Sequence, residues 1–178
     1  MVVTVLTLLV KPVLAVNYNA SNADLLLVFR KPNSKDLIYS IGSVNNYLSV
    51  APGSTVAVTG YSTNQVYTNF NSSFSGVLFN VSAYDPNQYL VWITDADQTT
   101  VPDTLTLNGY TTLSSKIDAV GNNASTYTAN NPATAYAVAA SGSSSYSYTV
   151  SEGTSDIATW NGNLNFIAEA AANNPLKF

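Results

Sequence analysis

The sequence predicts an all-β fold: a β-sandwich of jelly-roll or immunoglobulin-like type that carries one or two short helices. Short runs of β-branched and aromatic residues recur along the chain, and turn-forming residues separate them at intervals of about 8 to 12 residues, a pattern typical of sandwiches and barrels. Charged residues are only 9% of the chain, against about 25% in average globular proteins. Uncharged polar side chains must therefore keep the surface soluble, which is typical of exported β-rich proteins. A barrel is the alternative architecture.

The length of 178 residues fits a single domain. We divide the chain into an N-terminal apolar strand, residues 1–15, and one β-sandwich domain, residues 16–178. The net charge is -4 with only six Lys and Arg, which argues against nucleic acid as a partner. Cysteine and histidine are absent, which excludes disulfides, thiolate metal sites and the commonest general base.

The opening segment, residues 2–10 with the sequence VVTVLTLLV, predicts a strand that is apolar on both faces. Lys11-Pro12 ends the run well short of the roughly 20 residues that a membrane-spanning helix needs. No basic residue precedes it, as one would in a secretory signal, although Val13-Leu14-Ala15 resembles a cleavage site. We expect the strand to be retained and to pair within its own chain or, our favoured alternative, with a neighbouring subunit. The residues of this assembly strand are Val2, Val3, Val5, Leu6, Leu8, Leu9 and Val10.

The first half of the domain alternates strands and turns. Residues 23–30 and 36–42 predict a hairpin, and residues 43–50 predict a short helical turn around Val44 and Leu48. Further strands are predicted at 54–59, 65–70, 76–84 and 88–95. The Asp85-Pro86-Asn87 turn separates the last two of these strands.

The second half contains helical signals. Leu113, Ile117 and Val120 have helical spacing, Thr111 or Thr112 can cap the start, and Gly121 can close the end, so we predict one short helix. Between Pro132 and Gly142, a second helix competes with an alternating strand. Strands are predicted at 143–150, 156–160 and 163–170.

The stretch ADLLLVFRKPNSKDLIYSIGSVNNYL, residues 23–48, resembles a loose family of exported bacterial proteins that often end in a PEP-CTERM sorting tail. TTLSSKIDAVGNNAS, residues 111–125, is similar to the small helical segment of that family. The resemblance covers residues 16–125 and consists of hydrophobic patterns, not catalytic motifs. It implies a surface or matrix location and a signal peptide over residues 1–15. The stretch ANNPLKF departs from the family, because it has neither a Pro-Glu-Pro motif nor a basic-flanked apolar anchor.

A candidate metal site follows the predicted strand at 88–95. Asp95, Asp97 and Asp103 lie in the oxygen-rich stretch WITDADQTTVPD, and Ca²⁺ takes about six to eight oxygen ligands. The spacing lacks the glycine and glutamate of an EF-hand, so a solvated turn is the favoured interpretation. The sequence therefore predicts no cofactor, and calcium is the alternative.

Aromatic residues supply a second candidate site. Tyr146 and Tyr148 are two residues apart on a predicted strand and therefore share a face, where they could stack on sugar rings. Trp92 and Trp160 could do the same, but a tryptophan flanked by apolar strand residues, as Trp92 is, more often belongs to the core. Candidate N-glycosylation sites, no more numerous than composition predicts, are Asn19, Asn71, Asn80 and Asn123.

The sequence predicts a protein that is not an enzyme. Glycoside hydrolysis needs a pair of carboxylates, and nothing brings such a pair together around Glu152 or Glu169. The leading hypothesis is an extracellular structural protein, the subunit of a filament or surface layer, whose partners are copies of itself joined through the N-terminal strand. The alternative is a monomeric secreted carbohydrate- or matrix-binding module whose first 15 residues are a signal peptide.

Overall fold

The computed structural model of the protein describes residues 16–31, 35–51, 54, 56–94, 104–130, 136–139 and 170–172. Their secondary structure consists of a 3-10 turn Ala20–Asn22, β1 Asp24–Arg30, β2 Lys35–Ser43, α1 Asn45–Leu48, α2 Thr63–Asn69, β3 Leu78–Asp85, β4 Leu90–Ile93, α3 Leu107–Asn130, β5 Tyr136–Ala139 and β6 Ala170–Ala171.

One antiparallel sheet organises these elements, with the strand order β4-β3-β1-β2-β5. Central β1 places Leu27 opposite Tyr39 of β2 and Val81 of β3. Both β4 and β6 pair with the other side of β3, at different positions along it. The predicted antiparallel β-structure with helices is confirmed, as are the hairpin from 23 to 42 and the strands within 76–84 and 88–95. The second sheet of a sandwich is not found among the described residues.

The central strand β1 is buried on both faces. Each side chain from Leu25 to Phe29 is at most 7% exposed. Because successive side chains of a strand point to opposite faces, this run needs a cover on each side of the sheet.

Helix α3 covers one face. Its residues Leu113, Ile117, Val120 and Ala124 follow helical spacing and form one stripe. In the sheet, that stripe packs with Leu26, Val28 and Ile38. The predicted helical stripe is therefore confirmed as the cover of this face, which we call the α3 side.

Helix α2 and the coil before it cover the opposite face, which we call the α2 side. Val66 and Phe70 are four residues apart and both buried, in one cluster with the odd-numbered residues of β1. The predicted strand at 65–70 is wrong, because the Ser62 hydroxyl accepts a hydrogen bond from the Gln65 amide (3.2 Å) and starts a helix there. The predicted strand at 54–59 is also wrong over 56–59, which have no regular secondary structure.

Two further predictions are decided by the sheet. The helical turn near Val44 is confirmed as α1. For residues 132–142, helix and strand are the two predicted alternatives. Tyr136–Ala139 form the strand β5, which pairs with the first residues of β2. Of the last three predicted strands, only Ala170 is described, in β6.

The register between β1 and β2 slips between the Asp24 and Leu26 pairs, which marks a β-bulge. Gly42 lies in this bulge with φ +89°, a backbone conformation that favours glycine.

Helix α3 is longer than predicted at both ends. It begins at Leu107, where the Thr106 hydroxyl accepts a hydrogen bond from the Gly109 amide (3.1 Å), and it continues through Gly121 to Asn130. Gly121 does not end the helix. A Cβ atom there would lie 2.4 Å from Cδ1 of Tyr18, so glycine is needed to let the Tyr18 ring lie directly against the helix. The Tyr18 amide also donates to the Ser125 hydroxyl (3.0 Å).

The Gly121→Ala substitution tests this packing. In an unobstructed helix, replacing Gly with Ala raises stability by about 1 kcal/mol. Here we expect the free energy of unfolding, measured in urea, to fall by about 1 to 3 kcal/mol, because the methyl group overpacks against Tyr18. The control is Ala119→Gly on the exposed side of the same helix, which reports helix propensity alone. A Gly121→Ala protein more stable than the wild type would contradict the role assigned to Gly121.

Candidate functional site: the β4 edge and the adjoining cleft

Strand β4 forms an edge of the sheet, and no described strand pairs with its outer side. Leu90 is 44% exposed, and the remaining residues of the strand are half-buried. Edge strands of soluble proteins are usually protected by charges, prolines or bulges. The β4 sequence LVWI contains neither charge nor proline, and its register with β3 is regular. Among the described residues it is therefore an apolar edge without a strand partner.

The inner side of β4 is firmly paired. Its residues lie opposite Ser82 to Asp85 of β3, and Thr94 continues the pairing beyond the strand. The Thr94 hydroxyl accepts from the Val81 amide (2.6 Å), and the Thr94 amide donates to the Val81 carbonyl oxygen (2.9 Å). The outer edge thus belongs to a strand whose position is fixed.

The turn between β3 and β4 holds one end of this edge. One Asp85 carboxylate oxygen accepts from the amides of Asn87 (2.7 Å) and Gln88 (3.2 Å), which confirms the predicted turn. The Tyr110 hydroxyl of α3 donates to the Asp85 carbonyl oxygen (3.0 Å). Tyr89 has a left-handed φ of 55° and packs against the Tyr110 ring, with 5.3 Å between ring centroids. The turn is therefore tied to the start of α3.

A cleft of about 160 Å³ adjoins the edge, between β4, α1, the 3-10 turn and the β3–β4 turn. Its apolar wall includes the large side chains of Leu48, Leu90 and Trp92. Trp92 is half-buried and also packs against the core cluster of the α2 side. The polar side chains on the lining include Asn45, Asp85 and Gln88, and no basic residue of the described chain lines the cleft.

A separate polar cluster joins α3 to the sheet. The Tyr84 hydroxyl donates to Asp118 of α3 (2.9 Å), and the Asn122 amide donates to the second oxygen of the same carboxylate (2.8 Å). Burial raises the pKa of Tyr84 to about 12, and the bond to Asp118 acts in the same direction. Burial also raises the pKa of the neighbouring Tyr18. Both phenols are protonated at neutral pH, so they serve as neutral groups that hold α3 in place.

Most of the sites predicted from sequence lie outside the described residues. These are the assembly strand Val2–Val10, the carboxylates Asp95, Asp97 and Asp103, and the aromatic residues Tyr146, Tyr148 and Trp160. Within the described ranges, no group of three or more His, Cys, Asp or Glu side chains could hold a metal ion.

The four predicted glycosylation sites all lie in the described part of the chain. Asn19 and Asn71 are exposed, and Asn123 is half-buried on α3. The Asn19 side chain already accepts the Ser21 amide (3.0 Å) at the start of the 3-10 turn. Asn80 is 0% exposed in the middle of β3. The folded protein has no room for a glycan at Asn80, so this candidate is wrong.

The residues of the cleft were not predicted as a site. The rule that singled out Tyr146 and Tyr148, two residues apart on one strand face, applies equally to Leu90 and Trp92 beside the Asp85 turn. Leu48 gave no such signal, because its place in the cleft depends on how α1 packs against the sheet.

None of the described helices has the length and apolar character needed to cross a membrane. No protein-family model matches this chain, and no curated protein and no solved structure matches it. The resemblance to exported PEP-CTERM-type proteins therefore stays a prediction.

The raised pKa of Tyr84 predicts a loss of stability in alkali. The ordinary tyrosine pKa is 10.0 and the folded value about 12, so above pH 10 the unfolded chain loses this proton more readily than the folded one. The free energy of unfolding should fall as the pH rises from 10 to 12. In Tyr84→Phe the fall should be shallower, as measured by urea unfolding at each pH. Tyr89→Phe, at a position 64% exposed, is the control; equal slopes for all three proteins would contradict the prediction.

Proposed function

We propose that the protein is a non-enzymatic extracellular structural protein, the subunit of a filament or surface layer. The N-terminal strand Val2–Val10 of one copy pairs with the β4 edge of the next. The observation that supports this proposal is the uncharged and regular edge of β4, with which no described strand pairs on the outer side. Such an edge offers unpaired backbone N–H and C=O groups, which an added strand satisfies.

The two strands are suited to each other in charge. Every copy carries the same net charge of -4, so copies repel one another at long range. Neither VVTVLTLLV nor LVWI contains a charged residue. A joint between these two segments therefore places no like charges in contact.

The apolar side chains supply the energy of the joint. Burial contributes about 25 cal/mol per Å² of apolar surface before the cost of association is subtracted. Leu90, Val91 and Trp92 of β4 retain exposed or half-exposed surface, and the donated strand adds its own valines and leucines. Head-to-tail contacts of this kind form a ring only if the rotation between successive subunits brings the last subunit back to the first. Otherwise they build open filaments.

The predicted β-sandwich belongs to the same proposal. The donated strand widens the described sheet, while a second sheet requires the predicted strands at 143–150 and 156–160, which lie outside the described residues. The low charge of the chain supports an extracellular location.

Deletion of residues 1–12 tests the assembly directly. We expect soluble subunits that no longer polymerise, because the donated strand is gone while the described sheet is intact. Sedimentation and electron microscopy measure this, and far-UV circular dichroism checks the fold. A synthetic peptide of residues 1–12 should bind the shortened protein in a 1:1 ratio. Intact polymers after the deletion would contradict the proposal.

Substitution at the acceptor edge is the complementary arm of the test. Leu90→Lys places a charge on the edge, and we expect it to reduce peptide binding and polymer formation at least tenfold, since charged side chains block strand addition. The matched control is Tyr67→Lys, at an apolar residue of similar exposure (41%) on α2, the helix that contacts β2, which β3 and β1 separate from β4. Equal assembly of the two variants would rule out β4 as the acceptor.

The second candidate is a monomeric secreted module that binds carbohydrate or matrix, with residues 1–15 as a signal peptide. The cleft favours it, because apolar and uncharged polar side chains meet there. Mass spectrometry of the mature protein separates the candidates. A chain that starts at Val16 and sediments as a monomer supports the module, and a chain that retains residues 2–10 within polymers supports the filament.

A further inference from the structure

We infer that the cleft beside β4 binds one ring of an uncharged saccharide, such as the terminal sugar of a glycan. The inference concerns side chains on the α2 side of the sheet and does not depend on strand donation. A structural subunit and a monomeric module could each carry such a site.

The size of the cleft limits the ligand. Its volume of about 160 Å³ is about ten times the roughly 15 Å³ that a single water needs. It is smaller than the pockets of about 300 to 1,000 Å³ that enclose drug-sized molecules. The cleft therefore has room for a single small ring, with the rest of a longer molecule outside.

The apolar wall suits the face of a sugar ring. Leu48 is 57% exposed and Leu90 is 44% exposed, and the indole of half-buried Trp92 lies between the core and the cleft. The faces of pyranose rings carry C–H groups, which pack on aliphatic and aromatic side chains. Two leucines this exposed lose contact with water when such a ring binds.

The polar side chains suit hydroxyl groups. Asn45 and Gln88 are exposed, and their side-chain amides make no hydrogen bond to the described part of the chain. Each amide offers both donors and an acceptor, as neighbouring sugar hydroxyls do. Binding a sugar therefore breaks no hydrogen bond between these two side chains and the described residues.

The charge of the lining selects against anions. Asp85 is the charged residue on the cleft, and no lysine or arginine of the described residues lines it. Phosphorylated, sulfated or acidic sugars would face this carboxylate without a counter-charge. A neutral saccharide meets no such penalty.

Titration by nuclear magnetic resonance tests the site on the full chain if that chain is monomeric, and on the soluble protein that lacks residues 1–12 if the full chain polymerises. The probes are the neutral methyl glycosides of glucose, galactose, mannose and N-acetylglucosamine, followed by an array of longer glycans. We expect a neutral saccharide to bind with a dissociation constant of about 1 mM. It should shift the resonances of the Trp92 indole, the Leu48 methyl groups and the amides of Asn45 and Gln88.

Matched variants locate the binding. Asn45→Ala combined with Gln88→Ala should weaken it by about tenfold, because two hydrogen bonds to the sugar are lost. The control for the amides is Asn64→Ala on the exposed side of α2. Leu48→Ala should also weaken binding, and Leu107→Ala is its control.

Several results would overturn the inference. These are no binding by any neutral glycan on the array, tighter binding of sulfated or acidic glycans, and unchanged binding by the Asn45→Ala/Gln88→Ala protein. A peptide of residues 2–10 that shifts the cleft side chains, where no saccharide does, would assign the cleft to the donated strand. Polymer formation is scored separately by electron microscopy, so either proposal can fail without the other.

Discussion

The burial of β1 on both faces is the constraint from which the rest of the structure follows. Leu26 and Val28 point to one side of the sheet, and Leu25, Leu27 and Phe29 point to the other. Complete burial of one such side chain contributes about 1.5 to 3 kcal/mol, so neither face can be left to solvent. The protein covers one face with α3 and the other with α2 and its preceding coil. A strand with one polar face would have needed a single cover and would have produced a different architecture.

The cover on the α3 side is fixed by the segment that leads into the sheet. Tyr18 lies against the backbone of α3 at Gly121, and its amide bonds to Ser125. Tyr84 and Asp118 fix the same helix to β3. Val16 and Tyr18 are therefore packed between α3 and the sheet, while the 3-10 turn that follows them lines the cleft.

The sequence predicts the strands better than the helices, for a physical reason. β1 contains a continuous apolar run, β2 and β3 contain shorter apolar runs interrupted by polar residues, and these patterns depend on local residues only. The stretch QVYTNF alternates and resembles a strand, yet Ser62 and Gln65 form a capping pair that starts a helix. Gly121 could end a helix or allow a close approach. Only the distant Tyr18 decides between these roles, and local sequence does not reveal that contact. The cleft was unpredictable for the same reason, because its lining comes from the 3-10 turn, α1 and the β3–β4 turn, which tertiary folding brings together.

The edge and the cleft share β4 but use different groups of it. Strand addition would engage the outward backbone N–H and C=O groups, while a sugar would contact side chains on the α2 side, those of Leu90 and Trp92. The backbone N–H and C=O groups of a strand point perpendicular to its side chains. An added strand and a sugar can therefore contact β4 at the same time. A filament built through β4 edges would therefore still present one cleft per subunit, and repetition along the polymer would raise its avidity for a glycan-covered surface even if each cleft binds weakly. Weak single sites are thus compatible with a structural role, provided that the subunits remain joined.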